Sequence, residues 1–332
     1  MKKRIFFTSL FFVFLFLGLI SKTYNLQISK GSYYSVKAES QNRLSGYLEA
    51  LRGNIYFTDK NGNYFPAAIN KEYAVIFAVP KEIYVAGEEG ATLAAEQIAS
   101  ALGLDKEKII SGFLNPSNQY FELAKKATQE QVDAVNNLKI KGIYIDKKNF
   151  RFYPFQTIAS QLLGFISSSE DSDVPSGRYG AELYFNDELS GTNGRLDGDR
   201  IIGPEQGRNI NLTIDPTVQN RAETILSDLI SRFGAESGSV IVQEPKTGKI
   251  LAMGSIPSFD PNDYSQYKVA NFLNPIVQSV YEPGSVFKVL TMAAGLDSHK
   301  LTPDTTYIDK GSIVVNGRTI RNWDAEEKGA HG

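Results

Sequence analysis

The chain has no cysteine, a single tryptophan and only two histidines, His299 and His331. Without cysteine there is neither a disulfide framework nor a thiolate metal site. Two histidines argue against a multi-histidine metal centre and against a Ser-His-Asp triad. An excess of charge of one sign is also missing: 35 Lys and Arg stand against 37 Asp and Glu, a net −2. No basic excess points to nucleic acid. There is no internal repeat and no low-complexity tract, and 332 residues leave room for two folded units. A serine enzyme with this composition must use a base other than histidine.

Long apolar runs are absent except at one place. Met1-Lys2-Lys3-Arg4 precedes Ile5 to Ile20, which is broken only by Thr8 and Ser9 and holds six phenylalanines. With no polar face, this segment reads as a membrane helix rather than a buried soluble one. No small-x-small cleavage site follows, so residues 5–21 are expected to be an uncleaved signal anchor. The basic residues 1–4 then stay in the cytoplasm and the bulk of the chain lies outside a single-pass cytoplasmic membrane.

The most informative stretch runs from Tyr281 to Leu296. Pro283-Gly284 delivers Ser285 to the start of an apolar helix, with Lys288 three residues on, so the two side chains share a face. If Val286, Phe287, Val289 and Leu290 enclose the lysine, lost hydration disfavours its charged form. A neutral amine beside a hydroxyl is a general base beside a nucleophile. Positive potential at a helix N-terminus favours a developing oxyanion. The same residues also fit a plain capping hydroxyl, with Lys288 reaching out to water. A second Ser-x-x-Lys, Ser265 to Lys268, follows the polar turn Asp260-Pro261-Asn262-Asp263, where a lysine stays solvated. Only the first occurrence lies on a helix apolar enough to be buried.

Elsewhere the patterns are those of an α+β multidomain chain. Residues 22–49 form an expected helical stalk. Alternating apolar positions around Asn61-Gly62 predict a β-hairpin over 52–65, with a further strand over 73–79. Helices are expected over 92–102 and 128–138, the second opened by a Thr128-x-x-Gln131 capping box. Residues 167–175 read as an exposed acidic loop, Asn193-Gly194 as a tight turn, and 203–208 as an interdomain link. Asn211 to Pro216 leads into a helix over 218–232, and two strands flank Pro245-Lys246-Thr247-Gly248.

Taken in order, these motifs resemble the class B penicillin-binding proteins, the monofunctional peptidoglycan D,D-transpeptidases. Arg52-Gly53-Asn54-Ile55 with Asp59-Lys60-Asn61-Gly62 is similar to the start of the family's pedestal, or dimerisation, domain. Arg151-Phe152-Tyr153-Pro154 and Ala159 to Phe165 resemble a later pedestal motif. Leu212 to Asp215 with Gln219, and then Pro245 to Met253, resemble the entry into a transpeptidase domain. Tyr281 to Lys288 resembles the active-serine motif. The resemblance implies an α+β pedestal over 50–205 and the first part of an α/β transpeptidase domain over 206–332. It implies acyl transfer on D-Ala-D-Ala stem peptides, with Ser285 as nucleophile, Lys288 as base and the Ser285 N–H in an oxyanion hole. β-Lactams would acylate the same serine, no metal or organic cofactor is implied, and partner glycosyltransferase and division or elongation proteins are. The segment Arg318 to Asp324 leans toward the division type.

The family's Ser-x-Asn motif and its Lys-Thr-Gly after the serine are not found between Ser285 and Gly332. Lys246-Thr247-Gly248 precedes the serine and reads as a turn. The expectation is therefore a transpeptidase domain that is incomplete at its C-terminal side and inactive as this fragment. The alternatives are a D,D-carboxypeptidase or β-lactamase-like serine hydrolase, or a catalytically silent membrane-anchored scaffold. A bifunctional glycosyltransferase-transpeptidase is not expected, because the segment before Gly203 holds no histidine.

Overall fold

A computed structural model describes residues 49–169, 172–197, 200–322 and 329–331, with isolated positions 15, 16, 22 and 24. Of the anchor and stalk expected over 5–21 and 22–49 only positions 15, 16, 22, 24 and 49 are described, and Trp323 and Asp324 lie outside the described residues. Among the described residues no helix is long and apolar enough to cross a membrane. The chain separates into two compact units, one up to Gln278 and one from Ser279 onward.

The first unit is built on a five-stranded sheet. Strand β1 (Ile55–Thr58) pairs antiparallel with the long β2 (Tyr64–Ala78), with Phe57 opposite Phe65 and Thr58 opposite Tyr64. The turn between them is made by Asp59, whose carboxylate accepts from the Asn61 and Asn63 N–H groups, both at 2.8 Å. Gly62 there has φ +82°, which a side chain would resist. The strand expected over 73–79 is the far half of β2 rather than a separate element. Helices α1 (Gly87–Leu102) and α2 (Lys106–Phe113) follow, then β3 (Phe121–Ala127), α3 (Gln129–Leu138) and β4 (Ile143–Phe152). Strands β3 and β4 both pair antiparallel with β2. The Thr128 capping box forms as expected, the hydroxyl taking the Gln131 N–H and the Gln131 side chain taking the Thr128 N–H.

Alternation along the sheet sends Ile76 and Ala78 to one face, where Ala91, Ala95, Ile98 and Leu102 of α1 cover them. Small residues on that helix let it lie close, and Phe113 and Val135 close the core from α2 and α3.

A second core brings distant segments together. Ile55, Phe57, Tyr153, Leu163, Leu189, Ile214, Phe259 and Phe272 are all buried in it. Phe165 sits at its centre, stacked on Tyr264 with ring centroids 4.1 Å apart and edge-on to Phe272 at 4.9 Å. Each such pair adds about 0.5–1.5 kcal/mol beyond area burial. The described residues of 167–175, expected as a loop, belong instead to two antiparallel strands, β5 (Ile166–Ser169) and β6 (Ser172–Gly177). Their base is pinned by Arg178, which donates its N–H to the Phe165 carbonyl at 2.9 Å and its Nε–H to the Ser167 hydroxyl at 3.0 Å. Asn193-Gly194 is not a tight turn. The Asn193 side chain instead accepts the Ala50 N–H at 2.8 Å, and the chain runs on into β7 (Arg195–Asp197) and β8 (Arg200–Ile202).

Residues 203–208, read as a link, close against the entry to β1. Gly207 donates to the Leu51 carbonyl at 3.0 Å and Arg208 to that of Glu188 at 2.7 Å. A Cβ on Gly207 would lie 1.8 Å from the Leu189 oxygen, so only glycine permits this approach. Strand β9 (Ile210–Leu212) then adds to the sheet, parallel to β1. Helix α4 (Pro216–Phe233) is capped by Asp215, which accepts from Thr217 and Val218 and also from the Lys60 N–H in the β1–β2 turn. It packs on the hairpin of β10 (Gly238–Gln243) and β11 (Ile250–Ile256) through Gln219, which exchanges hydrogen bonds with the Met253 backbone.

The second unit holds α5 (Lys288–Asp297), strand β12 (Tyr307–Asp309) paired with β15 (Gly329–His331), and the hairpin of β13 (Ser312–Val315) and β14 (Arg318–Arg321). The buried helix expected here is not seen. Val286, Phe287, Val289 and Leu290 are 72, 55, 71 and 59% exposed. The apolar pattern states what this helix would bury. The described strands of the unit, largely exposed themselves, supply no layer to cover it.

Candidate active site

Ser285 lies in a one-turn 3-10 segment, Gly284–Phe287, that runs directly into α5. Gly284, at φ +57°, turns the chain from Pro283 into that segment. The Lys288 N–H donates to the Ser285 carbonyl, the i to i+3 contact of this tighter helix. In a 3-10 turn residues i and i+3 eclipse, so the backbone puts Ser285 and Lys288 on one face. Neither side chain has a hydrogen-bond partner among the described residues, and they are not bonded to each other. The capping role open to Ser285 is thus not taken up, since no side chain caps this segment or α5. The enclosure expected for Lys288 is also absent, because Ser285 and Lys288 are both exposed.

The competing Ser-x-x-Lys is of another kind. Ser265 closes a turn over Pro261–Gln266 and donates its hydroxyl to Asp263 at 3.3 Å. Lys246-Thr247-Gly248 forms the β10–β11 turn. Thr247 donates to the Glu244 carboxylate, and Gly248 sits at φ +76° with its carbonyl accepting from Gln243 at 3.1 Å. Those are turn duties, as expected.

The motifs of the first unit converge on a buried ionic knot. Glu182 accepts from Arg52 Nε and Arg151 Nε, both at 2.7 Å, and the Tyr153 hydroxyl lies 3.3 Å from the same carboxylate. Arg52 also donates to the Asn186 side chain at 3.1 Å and the Ser190 hydroxyl at 2.9 Å. Arg151 reaches the Gly53 carbonyl at 2.8 Å. Burial, and then the Glu182 charge, push the Tyr153 phenol well above its ordinary range. Glu182 was not foreseen in the sequence. Two arginines recurring beside strand ends were its only signal.

A second buried carboxylate, Glu223 on α4, accepts from the Ala159 N–H at 2.9 Å and from the Gln219 amide at 2.7 Å. Burial raises its carboxyl above the usual range, against the lowering by these two hydrogen bonds. Gln161 donates to the carbonyls of Ser255 and Pro257, at 3.4 and 2.9 Å. The segment 153–165 and the α4–β11 region are therefore joined by polar bonds as well as by the aromatic core. No cluster of acidic and histidine side chains suited to a metal occurs among the described residues.

Comparison with known proteins agrees with this arrangement. Residues 47–197 match the penicillin-binding protein dimerisation domain, and residues 238–331 match the penicillin-binding protein transpeptidase domain. The chain belongs to the class B penicillin-binding proteins. It is 29% identical to stage V sporulation protein D of Bacillus subtilis, over all of this chain and 51% of that protein. It is 27% identical to the peptidoglycan D,D-transpeptidase FtsI of Escherichia coli K12, over 83% of this chain and 47% of that one. In fold it is similar to penicillin binding protein 2X from Streptococcus thermophilus, with a TM-score of 0.60 at 23% identity, over 84% of this chain and 45% of that one. A peptidoglycan synthetase from Bifidobacterium adolescentis gives 0.53 at 24% identity, over 85% and 55% of the two chains. The chain spans about half the length of the curated relatives it matches. The resemblance to this family and the two-domain α+β architecture are thereby established.

Proposed function

We propose that the whole protein is a serine-type peptidoglycan D,D-transpeptidase that cross-links stem peptides through an acyl-serine. The observation that supports this reading is the Ser285-x-x-Lys288 spacing across a one-turn 3-10 segment, inside the residues that match a transpeptidase domain. Ser285 Oγ attacks the carbonyl between the two D-alanines while Lys288 accepts its proton. The free D-alanine amine leaves, and an amine from a neighbouring stem peptide then attacks the ester and regenerates the hydroxyl. The Ser285 N–H is one donor to the oxyanion. β-Lactams acylate the same oxygen by opening their ring.

On this reading residues 50–205 are the pedestal and 206–332 belong to the transpeptidase domain. Residues 5–21 anchor the chain in the cytoplasmic membrane, with the rest outside, where the wall is assembled. A partner glycosyltransferase supplies the glycan strands, and a role in division is favoured over elongation by Arg318 to Asp324. The dimerisation domain weighs against a purely hydrolytic relative. Product analysis tests the choice. The protein from its complete gene, given lipid-linked substrate and a glycosyltransferase, should yield cross-linked muropeptide dimers with release of one D-alanine per link. Release of D-alanine without dimers would make it a carboxypeptidase instead.

A further inference from the structure

On the face of the sheet opposite α1, aromatic rings and lysines alternate. Lys71 lies opposite Phe150 and Tyr73 opposite Lys148 in the β2–β4 register. The Lys71 ammonium sits over the rings of Tyr73 and Phe152, at 5.1 and 4.7 Å from their centroids. Lys126, from β3, sits over Tyr73 and Phe150 at 5.6 and 5.8 Å. Two cations thus share one tyrosine ring, itself edge-on to Phe150 at 6.1 Å. Lys148 follows, over Tyr120 at 5.5 Å.

None of the three lysines has an ion-pair partner among the described residues, although Lys147 and Lys125 nearby do. Burial lowers the proton affinity of Lys126, while Asp260 and Asp263 act in the opposite sense from beyond ion-pair distance. Asp146 and Glu122 bear on Tyr120, at the other end of the face. The rings and the unpaired cations therefore concentrate at the Lys71–Phe150 end.

We infer that Lys71, Tyr73, Lys126, Lys148, Phe150 and Phe152 form a binding surface for an anionic saccharide, an amino-sugar strand bearing carboxylates. Sugar C–H groups pack on aromatic rings, and carboxylates pair with lysines that lie over those rings without an ion-pair partner, so both halves of the surface are matched. A protein partner fits less well, because the centres of protein interfaces are depleted of lysine. The choice of a wall glycan as the strand rests on the transpeptidase reading. The surface itself lies wholly in the first compact unit.

The test is calorimetric titration of the full chain with peptide-free glycan strands whose muramic acid residues keep their carboxylates. Chitohexaose serves as the neutral analogue and polyglutamate as the acidic peptide. Binding of the acidic glycan is expected, weakening with salt, and about ten-fold weaker for Lys71→Gln/Lys126→Gln and for Tyr73→Ala. Lys108→Gln, on exposed α2, should bind as wild type, and circular dichroism should show every variant folded. No binding, equal binding of chitohexaose, equal binding of polyglutamate, or unchanged binding by folded surface variants would each overturn the inference. Penicillin acylation of the whole protein is read separately. Its loss with saccharide binding intact would sink the transpeptidase reading and leave the surface standing.

Discussion

Three side chains concentrate the chemistry that can be tested one residue at a time. Lys288 is the proposed base, so Lys288→Gln in the whole protein should slow acylation by about 10²–10⁴-fold. Lys268→Gln, at the other Ser-x-x-Lys, should leave the rate unchanged when stopped-flow labelling with a fluorescent penicillin is compared. Glu182 holds two buried arginines, so Glu182→Ala leaves both cations without their carboxylate. Removing one partner of a buried pair costs about 3–5 kcal/mol, which should appear as a large drop in Tm. Glu223 works in the opposite sense. Its folded carboxyl takes up a proton more readily than the unfolded one, because burial penalises the charge. Stability is therefore greatest below the unfolded value and falls as pH rises through the folded one. Glu223→Gln keeps an acceptor for the Ala159 N–H and has no charge to bury. The variant should match wild type in acid and exceed it at neutral pH, read as the difference in Tm across a pH series.

At the scale of elements, local rules sufficed where the signal was local. The Asn61-Gly62 turn, the Thr128 capping box, the Asp215-Pro216 helix start and the β10–β11 hairpin all formed within a residue or two of expectation. What failed depended on distant partners. Ser167 to Pro175 looked like a loop because its composition is polar, yet its described residues pair as β5 and β6, and Arg178 bonds Ser167 at their base. Residues 203–208 looked like a tether because they hold Gly and Pro, but Gly207 permits a close backbone approach to Leu189. The entry to β1 shows the same use of glycine. A Cβ on Gly53 would lie 1.9 Å from the Arg208 oxygen and 3.0 Å from the Gly207 carbonyl carbon. Gly53→Ala should therefore displace the 205–208 segment and lower Tm more than Gly62→Ala, which meets no atom but carries the strain of a positive φ.

Over the whole molecule, the candidate site was legible because Ser-x-x-Lys chemistry is written in four consecutive residues. Its setting was not. The apolar character of Val286, Phe287, Val289 and Leu290 implied burial, and a helix that needs covering cannot reveal from its own sequence whether the covering layer lies among its near neighbours. The ionic knot was illegible for a related reason, since Arg52, Arg151 and Glu182 are far apart in the chain and meet only through the fold. The segment 153–165, by contrast, joins two matched domains through Phe165, Gln161 and the Ala159–Glu223 bond. That makes the pedestal and the α4–β11 region one packed body, so changes at this seam are expected to act on both.

On the transpeptidase reading the Ser285 hydroxyl becomes acylated. Cells expressing the complete gene should be treated with a fluorescent penicillin, and the labelled protein digested and read by mass spectrometry. One modified peptide is expected, carrying the adduct on Ser285, with no label in Ser285→Ala. An adduct elsewhere, or undiminished labelling of that variant, would contradict that reading.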